Sequence, residues 1–394
     1  MKIAVPKETR PGECRVALVP ESCKKLAQAG YEVLVEAGAG GAAGFPDAAY
    51  AEVGARLVPD AAALLGEGDF VLKVTAPQVA PVDEVRPLRR GALLLASLMP
   101  TRHLDTVRAL ASQGVTAFST DAIPRTTRAQ AMDTLSSMAN IIGYKGVLMG
   151  ALELGKYFPM FMTAAGTVFP ANVFVIGAGV AGLQAIATAR RVGAKVTATD
   201  VRPEVKEQIE SVGGRYVGIE LKESAAAGGG YAKELSEEDK ARQRELLAEQ
   251  CAQSDVVIST ALIGGVFAPQ IISAAIVGRM KPGAVIVDVA IDQGGCVETS
   301  RPTTHEDPIF IVDNVVHYCV ANMPGAVGRT STYALTNVTL PYALKIADHG
   351  WPEFARRDSA LAQGVNMVGG VITCKPVAEA FNLSNYVPID DVLK

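Results

Sequence analysis

Three glycines, Gly177, Gly179 and Gly182, stand at Gly-x-Gly-x-x-Gly spacing behind the apolar run Val173–Ile176 and ahead of Leu183-Gln-Ala-Ile-Ala-Thr-Ala. The order reads strand, turn, helix. In such a pattern the first glycine permits the tight turn, the second lets the backbone approach a pyrophosphate, and the third lets helix and strand pack closely. The helix N-terminus then offers unpaired N–H groups and a positive dipole end to phosphate oxygens. Asp200 closes the next apolar segment, 18 residues past Gly182. A carboxylate there accepts hydrogen bonds from ribose hydroxyls and repels a 2′-phosphate, so the pattern predicts NAD(H) in preference to NADP(H). Arg202 points the other way, because an arginine near the ribose can accommodate that phosphate.

Other polar groups stand where ligands commonly bind. Lys73 ends the run Phe70-Val-Leu-Lys73, and Arg15 sits between a turn and a helix. A lysine closing an apolar strand lies at the carboxyl edge of a sheet, where open α/β folds place ligands. Together the two cations could bind a small carboxylate or a nicotinamide amide; the plainer alternative is a pair of snorkelling surface cations. Asp292 follows a buried strand, and Asn322 precedes Met-Pro, where its side chain could bond a nicotinamide ribose or carboxamide. Both types are also ordinary turn formers. Arg125, Arg128, Gln130 and Asp133 fall within nine residues, a cluster that also reads as a loop ending in a helix cap at Asp133. His103, His305, His317 and His349 show neither metal nor triad spacing, and no metal site is expected.

These groups need elements to hold them. A chain of 394 residues suggests two or three domains, and 49% hydrophobic content supplies two cores. A net charge of −4 without a basic stripe argues against nucleic-acid binding. The first residues are too briefly apolar for a signal peptide, and the six cysteines lack CxxC spacing, so they read as reduced thiols in a cytoplasmic protein. Residues 157–189 and 256–278 are uncharged and long enough to span a membrane. Their prolines and glycines instead predict buried parallel strands with loops and helices, and no span.

The first 125 residues alternate strands (Lys2–Val5, Glu32–Glu36, Phe70–Val74, Leu93–Leu95, Thr116–Phe118) with helices such as Ser22–Gln28 and Leu104–Gln113. A helical pattern from Asp133 to about Tyr157 leads into a Rossmann unit over about Asn172–Pro308, with later strands at Arg215–Val217, Val256–Thr260 and Ala284–Val289. Ala225–Tyr231 reads as a mobile loop and Ser236–Glu249 as a charged helix. A helical run over Tyr333–Lys345, interrupted at Pro341, returns to the first domain. The expected architecture is α/β: two Rossmann-like domains with parallel sheets, a NAD-binding one (131–308, with its linking helix) inserted into the other (1–130 and 309–394).

At these residues the chain resembles the alanine dehydrogenase/pyridine nucleotide transhydrogenase family over essentially its whole length. Met1-Lys-Ile-Ala-Val-Pro-Lys-Glu with Arg15-Val-Ala-Leu-Val-Pro is similar to the family's N-terminal signature. The glycine fingerprint, flanked by Met162-Thr-Ala-Ala-Gly-Thr and Gln184-Ala-Ile-Ala-Thr-Ala, is similar to its second. Residues up to about 280 look like the NAD(H)-binding alpha subunit of transhydrogenase. There the resemblance implies that Arg125, Gln130 and Asp133 hold NAD beside an NADP(H)-binding partner and that Tyr231 closes over the nucleotide. From about 281 the chain looks instead like alanine dehydrogenase, through Ala290-Ile-Asp292-Gln-Gly-Gly, Arg301-Pro-Thr-Thr-His305, Val316-His-Tyr-Cys-Val-Ala-Asn322-Met-Pro-Gly-Ala and Arg329-Thr-Ser-Thr-Tyr-Ala-Leu-Thr-Asn337. Val180, Val201, Ala261 and Leu262 complete the expected cofactor set.

The resemblance to the deaminating branch implies an arginine and a lysine for the substrate carboxylate, and a histidine and an aspartate near the reacting carbon. Arg15, Lys73 and Asp292 match three of these, but Met99 stands where the histidine should fall, and His103 does not align. Deamination needs protons moved as well as a hydride, and a group titrating near neutrality contributes about 10²–10⁴-fold. Hydride transfer between two nicotinamides needs alignment rather than acid–base help. Three readings follow. The first is a soluble NAD(H)-binding transhydrogenase alpha subunit, with Gln130 in the catalytic loop and separate NADP(H)-binding and membrane subunits as partners. The second is an NAD-dependent alanine dehydrogenase acting on a small amino or 2-oxo acid, and the third a non-catalytic NAD-binding protein. A homodimer or hexamer is expected, cytoplasmic, or peripheral at the inner face of the cytoplasmic membrane in the first reading.

Overall fold

The computed structural model describes residues 1–123, 133–219, 236–262 and 268–394. The chain divides into two units, Met1–Met138 with Gly325–Lys394, and Ala139–Pro324. The second is therefore a single stretch set into the first. Its limits differ from those expected: the return falls at 325 rather than 309, because strands at 309–318 extend the second unit's own sheet.

The first unit is built on eight strands: β1 (Lys2–Val5), β2 (Glu32–Glu36), β3 (Arg56–Val58), β4 (Phe70–Thr75), β5 (Leu93–Ser97), β6 (Thr116–Ser119), β16 (Val365–Val368) and β17 (Val371–Ile372). Their order is β17-β16-β6-β5-β4-β1-β2-β3. The second unit carries β9 (Asn172–Ile176), β10 (Lys195–Thr199), β11 (Arg215–Tyr216), β12 (Val256–Ser259), β13 (Val285–Asp288), β14 (Ile309–Val312) and β15 (Val315–Tyr318), in the order β11-β10-β9-β12-β13-β15-β14. In both sheets the chain starts centrally, winds outward, then reverses. That makes the gaps between β1 and β4 and between β9 and β12 the topological switch points, where such sheets bind ligands.

The sheets are mostly parallel, as expected, with a few antiparallel pairs. β16 runs antiparallel to β6, β17 to β16, and β14 to β15, while the remaining pairs are parallel. Central strands are buried on both faces beneath two helical layers, and apolar apart from Lys73 and the strand-end polar residues. The uncharged stretch 157–189 departs from expectation. It opens with a small antiparallel hairpin, β7 (Phe161–Thr163) and β8 (Gly166–Val168), exposed at every residue. Among the described residues, no helix is long and apolar enough to cross a membrane.

Two helices depart from their expected form. Thr134–Glu153 packs through glycines: a Cβ on Gly143 would lie 2.2 Å from the Ala181 carbonyl oxygen, so only glycine allows this approach. Helix Gly328–His349 continues through Pro341, because Leu340, Tyr342, Ala343 and Ile346 bury around the proline in the first unit's core. The charged helix spans Glu237–Gln253, capped by Ser236.

Candidate functional site: a nucleotide cradle and a buried lysine cluster

In the second unit the three glycines have separate structural reasons. Gly177 has φ +93, and a Cβ there would meet Thr260 Oγ1 at 2.7 Å. A Cβ on Gly182 would sit 1.8 Å from the Gly177 carbonyl oxygen. Gly179 has nothing within 4 Å of an added Cβ, so open space lies where its chain caps helix Val180–Arg191. Val180 is exposed at that helix's first turn. Thr260 Oγ1 donates to the Ile176 and Gly177 carbonyls, 3.1 and 3.0 Å, pinning the ends of β9 and β12 together at the switch point. Ala261 and Leu262 follow at the same edge, half-buried, and the Ala261 carbonyl accepts from Cys296 Sγ. An uncrowded helix N-terminus with tightly packed glycines on either side fits a dinucleotide's diphosphate.

Asp200 lies at the end of β10, next to a half-buried Val201. Its carboxylate is already engaged. Oδ2 accepts the Ala178 N–H at 2.7 Å and Arg202 Nη2 at 2.8 Å; Oδ1 accepts the Arg202 N–H and Nε, both at 2.9 Å. Hydrogen bonding to Asp200 raises the guanidinium further above its ordinary value. Asp200 and Arg202 are thus a close, largely buried ion pair.

Asp292 sits on a short 3₁₀ turn, Val289–Gln293, directly after β13. The Asn322 N–H reaches its two oxygens at 3.4 and 3.2 Å, and Asn322 itself adopts φ 55. His305 Nε2 lies 3.3 Å from the Asn322 carbonyl. Just before the turn, β13 ends at Asp288, a wholly buried carboxylate that no sequence motif singles out. It accepts Ser259 Oγ at 2.7 Å and the Cys296 and Val297 N–H groups at 2.9 and 3.3 Å. Burial raises its acid above the usual range against those hydrogen bonds.

In the first unit neither Arg15 nor Lys73 is a surface cation. Arg15 forks onto Glu13, Nε to Oε1 at 2.8 Å and Nη2 to Oε2 at 2.6 Å. Lys73 Nζ lies 2.7 Å from Glu84 and 3.4 Å from Glu8, with side-chain exposures of 1%, 6% and 1%. Burial alone would lower the ammonium's pKa, but the two carboxylates outweigh it and hold it above the ordinary value. Lys73 therefore stays charged at neutral pH. Met99 stands in the left-handed region at φ 41, its N–H 3.3 Å from Asp121. His103 is half-buried, and burial, then Arg10 and Arg102, push its imidazole down. Asp133 caps its helix, accepting the Ser136 N–H at 2.8 Å. Arg125, Gln130, Tyr231 and the Ala225–Tyr231 loop lie outside the described residues.

Comparison with known proteins agrees across both units. The family model "Alanine dehydrogenase/PNT, N-terminal domain" matches residues 4–142, and the corresponding C-terminal domain matches 146–375. The chain belongs to the alanine dehydrogenase/PNT family. Two kinds of relative flank it within that oxidoreductase family. The first portion of the NAD(P) transhydrogenase alpha subunit of Rhodospirillum rubrum is 48% identical over 306 residues, 77% of this chain and 80% of the relative. "Alanine dehydrogenase" of Halomonas elongata is 40% identical over 386 residues, 97% of each. Among solved structures, a transhydrogenase from Sinorhizobium meliloti superposes with a TM-score of 0.84 at 37% identity, covering 94% of this chain and all of that one. An L-alanine dehydrogenase does so with 0.83 at 33%, covering 97% and 99%.

Proposed function

We propose that this chain is an NAD(H)-dependent hydride-transfer oxidoreductase of transhydrogenase type, passing a hydride to NADP+ on a partner subunit. The nucleotide reading is supported by the cradle at the second unit's switch point, where Gly177, Gly179, Gly182 and the first turn at Val180 leave room for a diphosphate. Asp200 and Val201 would hold the adenosine ribose and Ala261, Leu262 and Asn322 the nicotinamide half; the resemblance adds Arg125, Gln130 and Asp133 to the residues that hold NAD, with Tyr231 closing over the nucleotide. When bound, NAD(H) supplies the hydride. One residue carries the branch: the resemblance sets Met99 where the deaminating branch has its histidine, and a thioether cannot move a proton.

The alanine dehydrogenase reading is favoured by a specific finding, the alignment with such enzymes over 97% of the chain. In it Arg15 and Lys73 would take the substrate carboxylate and Asp292 would act as acid/base. The deciding assay follows NADH formation from NAD and L-alanine at alkaline pH. No turnover is expected; robust turnover replaces the first reading with the second. Met99→His tests the same point from the other side, since a gain in deamination of about tenfold or more is expected only where the remaining site is intact.

The chain would work as a homo-oligomer in the cytoplasm, joined in the first reading by NADP(H)-binding and membrane subunits. Support for self-association comes from the β7–β8 hairpin, where Tyr157, Met160, Phe161, Met162, Val168 and Phe169 are 44–71% exposed. Residues 157–189 hold no charge, so two copies of this face would meet about a two-fold axis without repulsion.

A further inference from the structure

We propose that Asp288 is the positioning residue of the nicotinamide half of the site: it fixes the exit of β12 against the chain behind Asp292, so that Ala261, Leu262 and Asp292 keep one arrangement. The inference rests on the second unit being the dinucleotide site.

Asp288 ends β13 and lies in register beside Ser259, which ends β12; both are wholly buried. Ser259 Oγ donates to Asp288 Oδ1 at 2.7 Å. The other oxygen, Oδ2, accepts the Cys296 and Val297 N–H groups at 2.9 and 3.3 Å, from the segment that follows the 3₁₀ turn of Asp292. Ser300 is a further hydrogen-bonding partner. One carboxylate thus joins two segments, and neither can shift without stranding a buried donor. Leaving such a donor unpaired costs more than an ordinary hydrogen bond contributes.

The join extends to the residues that would meet the cofactor. Cys296 Sγ donates to the Ala261 carbonyl at 3.3 Å. Three consecutive residues after the body of β12 are therefore tied to three places: Ser259 to Asp288, Thr260 to the Ile176 and Gly177 carbonyls, and Ala261 to Cys296. The glycine pair after Gln293 belongs to the same device. Gly294 and Gly295 have φ +107 and +83, and a Cβ on Gly295 would lie 2.8 Å from Asp288 Oδ2. Only glycine lets the chain pass this close to the acid. Asp288 is 0% exposed, so it acts on a ligand only through these neighbours. The adenosine end has separate supports, since Asp200 is held by Ala178 and Arg202. Loss of Asp288 should loosen one half of the nucleotide and spare the other.

The test titrates the full chain with NADH, which spans both halves, and with ADP, which carries the adenosine and diphosphate alone. Heat reports both, and nicotinamide fluorescence reports NADH. In Asp288→Ala, NADH binding is expected to weaken by about tenfold, with ADP binding as in wild type. Asp288→Asn should bring NADH back to within about threefold of wild type. Its amide oxygen can take the two N–H groups while its NH₂ donates to Ser259 Oγ, a hydroxyl that also accepts. Where the alanine variant misfolds by circular dichroism, Ser259→Ala decides. It cuts only the tie to β12, and NADH should weaken by about threefold with ADP unchanged. Unaffected NADH binding overturns the proposal. So does an equal loss of NADH and ADP, which a merely structural role produces, or an asparagine variant as weak as the alanine one. Wild type that binds neither nucleotide defeats the cofactor reading itself, a separate outcome.

Discussion

Lys73 shows what a single position can and cannot disclose. The apolar run that stops at this lysine predicts a strand end, but β4 runs on to Thr75 and leaves Lys73 two residues inside it. Its partners are not legible. Glu8 lies on the segment after β1 and Glu84 on the one after β4, and only the switch-point topology brings both to one ammonium. Lys73→Ala leaves two carboxylates together in a dry site, at an expected cost of about 3–5 kcal/mol, read as a lower urea midpoint. Glu84→Gln in the same chain should recover part of that loss. Asp255 makes the corresponding statement about pH. It accepts the Asn172 N–H and both Lys156 and Lys281 at 2.8–2.9 Å. Burial would raise its acid, but those partners outweigh it and hold it below the ordinary 3.8. Its stabilisation is thus complete above that pH and is lost as pH falls through the lower folded value. Acid unfolding followed from about pH 5 to about pH 2 should show this loss in wild type and not in Asp255→Asn. The fourfold engagement of Asp200 is hidden for a simpler reason: sequence gives Arg202's proximity but not the direction of its fork.

Among the elements, the glycine turn is the most readable, since strand, turn and helix each leave their own composition. The structure adds that its glycines are unequal. Gly182→Ala forces a methyl to 1.8 Å from a backbone oxygen, so both the melting temperature and NADH binding should fall. Gly179→Ala meets no atom within 4 Å, so melting should be unchanged while NADH affinity drops about tenfold as the methyl fills the phosphate's space. Equal effects of the two substitutions would contradict this division of roles. Less legible are β3, β16 and β17. They are two to four residues long and sit at or near a sheet edge, too short to establish an alternation. The exposed hairpin escapes sequence reading because an uncharged run looks alike whether neighbouring protein or a second copy covers it. Pro341 misleads because the core around it outweighs one missing backbone donor.

For the molecule as a whole, the hairpin carries the prediction. Met162→Glu with Phe169→Glu places charge on a face proposed to meet its own copy, and light scattering should report a smaller mass with an unchanged circular-dichroism spectrum. An unchanged mass would move the interface elsewhere. The order of the units along the chain has a consequence for how the protein is made. Residues 139–324 are continuous, so their sheet has all its strands as soon as that stretch clears the ribosome. The unit that contains β1 needs β16, β17 and the helix at 328–349, which arrive only after the whole of the other unit has been synthesised. The half of the molecule that starts first is the half that finishes last, and its exposed sheet edge at β6 has to stay soluble throughout translation of the other.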